Sequence, residues 1–71
     1  MKKITEREAS ILALYAQYPG YRNEEADKQL GETAMTVLQR MRDICAGKKV
    51  PNDDNTKSAQ AILDWANKKP E

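Results

Sequence analysis

Histidine is absent from this 71-residue chain, and cysteine occurs once, as Cys45. Without imidazole or a second thiol the common metal-ligand clusters cannot be assembled, and no internal disulfide can close. No metal and no cofactor are therefore expected, and a reducing compartment fits. No apolar run approaches the length that crosses a bilayer, and Met1-Lys2-Lys3 leads into a charged segment instead of a signal-peptide core. A cytoplasmic location without a membrane partner is the expectation. A strong excess of one charge is also missing, since twelve Lys and Arg face eleven Asp and Glu. Such a balance lacks the sequence-blind phosphate affinity of a very basic domain, so nucleic-acid binding must rest on local clustering.

What is present fits one domain, residues 1–71, whose apolar surface fills only a minimal core. Little remains to build a pocket, and no small-molecule substrate is expected. Glu6 with Glu8 and Asp53 with Asp54 fall at a helix start and in a loop, where capping and solubility explain them better than acid–base catalysis. No constellation of catalytic residues stands out, so an enzyme is not expected.

The fold class predicted is all-α, a small four-helix domain containing a helix-turn-helix. Thr5 followed by Glu8 has the form of a capping box, and Ile11, Leu12, Leu14, Tyr15 and Tyr18 recur at helical spacing until Pro19-Gly20. This predicts a first helix over about 6–18. Asn23 is a candidate cap for a second over about 24–30, with Glu24, Glu25 and Asp27 in its first turn, Ala26 and Leu30 inward, and Gly31 as its left-handed stop. Thr33 is the expected cap of a third over about 33–46, whose stripe Ala34, Val37, Leu38, Met41, Ile44 and Cys45 should pack on the first helix. Gly47 closes it. The turn-rich run Lys48 to Asn55 reads as a loop. A fourth helix over about 56–67 places Ala59, Ile62, Leu63 and Ala66 inward, with Trp65 at its shoulder and Pro70 beyond.

Two helices joined at a glycine, the second with a polar outer face, are the sequence form of a helix-turn-helix. Leu30 and Val37 would lock the pair. Threonine and glutamine suit base edges, and Arg40 suits guanine or phosphate. Basic residues gather at Lys2 and Lys3, at Arg40 and Arg42, and at Lys48 and Lys49. The acidic knot of Glu24, Glu25 and Asp27 must face away from any DNA.

The segments Ile4-Thr-Glu-Arg-Glu-Ala-Ser-Ile-Leu-Ala-Leu-Tyr-Ala and Leu30-Gly-Glu-Thr-Ala-Met-Thr-Val resemble the DNA-binding domain of LuxR-type regulators and region four of sigma factors. Gly20-Tyr-Arg-Asn-Glu-Glu-Ala, Leu30-Gly31 and Ala34-Met-Thr-Val-Leu-Gln39 are similar to a small helix-turn-helix family of actinobacteria and their phages. The likeness spans Ile4 to Ile44. It implies a transcription regulator, bacterial or from a phage, that reads double-stranded DNA in the major groove through Thr33, Met35, Thr36, Gln39 and Arg40, and the basic pair Lys48 and Lys49 is then expected on phosphate. It also implies a homodimer through the fourth helix, at Ile62 and Trp65. Glu32 and Asp27 depart from the pattern, standing where those families place an apolar anchor and a small inward residue.

Plainer readings stand beside these. The polar face of the third helix is then merely solvated, Lys48 and Lys49 likewise, and Trp65 with Ile62 caps the core. Cys45, on the apolar stripe, reads as a buried inert thiol. The alternative function is a protein-interaction module that binds a host transcription or replication protein and modulates it.

Overall fold

The computed structural model describes residues 4–18 and 20–67. The Lys2 and Lys3 pair, the Pro19 breaker and Pro70 lie outside the described residues. Those residues form four helices and no strand: α1 (Glu6–Gln17), α2 (Glu24–Asp27), α3 (Glu32–Cys45) and α4 (Asp54–Asn67).

Helix α1 starts with the expected capping box. The Glu8 amide donates to Thr5 Oγ1 at 3.1 Å, and the Thr5 amide donates to Glu8 Oε1 at 2.9 Å. Asn23 caps α2, its Oδ1 accepting from the amides of Glu25 and Ala26. The second helix is shorter than expected. After one α-turn the chain tightens into i→i+3 bonds, Gln29 to Ala26 and Leu30 to Asp27, which carry Leu30 onto the core. A single turn gains too few hydrogen bonds to propagate alone, and α2 buries none of its residues to help it.

The start of α3 corrects the expectation for Thr33 and for Gly31. Gly31 is the N-cap, in extended conformation with φ −82° and ψ −178°, and not the left-handed stop of α2. Thr33 lies inside the helix, half-buried, and makes no cap. A partner from elsewhere explains the shift, because Glu8 Oε2 accepts the Gly31 amide at 2.8 Å. At the other end Gly47 does adopt the left-handed conformation, with φ +77°. Its amide donates to the Ile44 carbonyl and that of Lys48 to Asp43, the paired bonds of a Schellman ending. Helix α4 starts two residues before Thr56, since Asp53 Oδ1 takes the Thr56 amide at 2.9 Å.

The core unites Leu12, Ala13 and Tyr15 of α1, Ala34, Val37, Leu38 and Met41 of α3, and Ala59, Ile62, Leu63 and Ala66 of α4. Helix α4 is the hub: α3 and α1 each pack mainly against it and less against one another, so α3 does not rest chiefly on α1 as expected. Ile62 is 8% exposed and belongs to the core, on the inward face expected of it. One sequence assignment is corrected here. Cys45, in the last turn of α3, is exposed and not the buried thiol expected. No described helix is long and apolar enough to cross a membrane.

Candidate nucleic-acid interface

The outward side of α3 follows from what its inward side holds. With Ala34, Val37, Leu38 and Met41 buried, the 100° step per residue points Gln39 directly away from the core, flanked by Met35, Asp43 and Ala46. Met35 and Gln39 are exposed as expected, Met35 at 41%. The Gln39 amide nitrogen donates to Asp43 Oδ1 one turn on, at 3.1 Å. That surface bond is easily exchanged for another partner.

Thr36 is half-buried, and its hydroxyl donates to the Glu32 carbonyl at 3.2 Å within the helix, which leaves its methyl and the hydroxyl's acceptor lone pairs for contact. Lys48 and Lys49 are both exposed just past the Schellman turn.

Arg40 occupies a different place from the one read in the sequence. Its side chain is 22% exposed, and Nη2 contacts Asp53 Oδ2 at 3.2 Å. Its Nε is buried without a hydrogen-bond partner among the described residues. Asp53 thereby caps α4 and holds α3 with the same carboxylate. The Thr56 amide, chiefly, and the Arg40 guanidinium bring its pKa down to about 2, so it stays ionised and the link stays charged.

Arg42 is the basic residue that the outer stripe does present, and sequence reasoning gave it no reading role. It is exposed, and it follows Gln39 at i+3 and Met35 at i+7, so helical spacing alone places it on that stripe. Among the described residues it forms no ion pair.

A second cluster was also missed. The buried Tyr15 donates its hydroxyl to Asp27 Oδ1, while Arg22 Nη2 contacts Asp27 Oδ2 at 2.9 Å and its guanidinium lies 5.3 Å from the Tyr15 ring centre. Asp27 therefore has a clear occupation: it ties α2 to the end of α1. The Tyr15 and then Arg22 hydrogen bonds hold its pKa below the ordinary carboxylate value, and burial first, then Asp27, pushes the Tyr15 hydroxyl up. Contact across twelve residues of sequence carries no periodic signal.

Trp65 is 63% exposed on α4, beside a shallow groove lined also by Ala61 and the edge of Ile62 on the same helix and by Glu6, Ala9 and Ser10 of α1. It does not cap the core. Comparison with family models, with curated proteins and with solved structures returns no match.

Proposed function

We propose that this protein binds double-stranded DNA in the major groove through the outer stripe of α3, in the manner of a small helix-turn-helix transcription regulator. The supporting observation is the stripe itself: Met35, Gln39 and Arg42 stand exposed on one face of a fourteen-residue helix fixed at both ends. A helix of that length runs about 21 Å and has the width the major groove admits. Gln39 supplies the bidentate amide, Met35 an apolar contact and Arg42 the guanidinium. Thr36 adds a methyl at the edge, and Lys48 and Lys49 supply phosphate contacts. Arg40 is assigned to the scaffold.

Binding is tested with a labelled random duplex across a salt series. Charge-driven DNA binding weakens steeply as salt rises, while a largely apolar protein interface changes little.

One observation favours the second reading, a protein-interaction module. Glu32 and Asp43 share the outer face of α3 with the proposed contacts, and Trp65 offers a large aromatic surface on α4. A host transcription protein, or a second copy of the chain seated on Trp65, is the partner in that reading.

A further inference from the structure

A groove of about 210 Å³ opens where the end of α1 and the turn after it meet α3 and α4. The buried side chains of Tyr15, Leu38, Met41 and Leu63 form its base, and the exposed Tyr21, Arg22 and Arg42 form its edge. The sequence reading left little apolar surface for a pocket. It arises because α2, too short to pack broadly, leaves the α3–α4 seam uncovered beside the Tyr15 ring.

No carboxylate lines the groove. Asp27, outside the lining, pairs with one guanidinium through its 2.9 Å contact with Arg22. Two guanidinium groups against one carboxylate leave a single positive charge at the edge, carried by Arg42. The volume lies below the roughly 300 Å³ at which pockets for drug-sized ligands begin. The matching occupant is small, apolar along its body, and carries one negative charge at its end.

We propose that this groove binds small amphipathic monocarboxylates, with the apolar body against Leu38, Met41 and Leu63 and the carboxylate on Arg42. A guanidinium receives a carboxylate through paired N–H donors, which sets this class apart from alcohols and amines of the same shape. Arg42 is also a proposed DNA contact, so an occupied groove competes for the group that the duplex needs.

Cys45 lines the same groove and is exposed, so its thiol reports occupancy directly. The rate at which a disulfide reagent modifies Cys45 is measured in the intact protein without DNA, with octanoate, octanol and octylamine each added below micellar concentrations. Octanoate slows the reaction in a saturable way and binds about tenfold more tightly than octanol, the margin of one charge-assisted hydrogen bond. Octylamine gives no protection. Arg42→Gln removes the preference for octanoate over octanol, while methyl shifts of Met41 and Leu63 confirm that the variant is folded. Equal protection by octanoate and octanol, or none by either, overturns the proposal. Because no DNA is present, that result is separable from failure of the duplex titration.

Discussion

Glu8 and Gly31, twenty-three residues apart, are joined by a 2.8 Å hydrogen bond from the glycine amide to the carboxylate that also completes the cap of α1. One side chain therefore sets the start of α1 and the start of α3. Both bonds, the Thr5 amide first and the Gly31 amide next, hold the Glu8 pKa below the ordinary glutamate value. Glu8→Gln keeps the shape but offers one acceptor where two amides need one each. It should cost about 1 kcal/mol or more and lower Tm by about 4–8 °C, whereas Glu6→Gln leaves Tm nearly unchanged. Thermal melts followed by circular dichroism check both.

Glycine is required at Gly31 and at Gly47 for different reasons, and alanine separates them. A Cβ on Gly31 meets Glu8 Oε2 at 3.2 Å, although the φ of −82° suits any residue. Gly31→Ala should therefore destabilise when Glu8 is present and be neutral or stabilising in a Glu8→Ala background. At Gly47 the φ is +77° and nothing lies within 4 Å of the added atom, so the cost is conformational, about 1–2 kcal/mol, and independent of Glu8. Melts of the single and double variants decide it.

Acid should unfold the protein through carboxylates that the fold keeps ionised. Glu8, Asp27 and Asp53 all have folded pKa values below their usual ones, that of Asp53 about 2. For a depressed pKa the unfolded chain binds protons first. The stabilisation is complete above the unfolded values and is lost as pH falls through the folded ones. Tm should be flat above about pH 5 and fall steadily towards pH 2. Asp53→Asn, which keeps a capping oxygen but not the charge on Arg40, should lose part of that dependence and melt closer to wild type than Asp53→Ala.

Arg40 and Arg42 should behave as opposites. Arg40→Ala removes the partner of Asp53 and lowers Tm, with any loss of DNA binding following from the loosened α3–α4 link. Arg42→Ala should leave Tm within about 2 °C of wild type while weakening duplex binding and reducing its salt slope by about one. Paired melts and anisotropy titrations of the two variants resolve the roles.

The parts of this fold legible in the sequence were those written locally. The Thr5–Glu8 box, the Asn23 cap, the stripe Ala34, Val37, Leu38, Met41 and the inward face of α4 each lie within a few turns of helix, where spacing determines direction. What escaped was non-local. Thr33 looked like the cap of α3 because nothing near it in sequence reveals that Glu8 arrives from α1 to hold Gly31. Arg40 looked free because Asp53, thirteen residues away, sits across a loop whose path spacing does not set. Asp27 looked out of place for the same reason, its partner Tyr15 being one helix earlier. Arg42 could have been found, since its distance from Met35 and Gln39 already put it on their stripe.

The claim that α3 contacts DNA through one narrow stripe, with Arg40 excluded, is tested most directly by backbone amide shifts as a duplex is titrated in at low salt. The largest changes should fall on Met35, Gln39, Arg42, Ala46, Lys48 and Lys49, with Arg40 and the Asp53 cap little affected. Changes centred instead on Trp65 and Ala61, or no saturable change anywhere on α3, would contradict it.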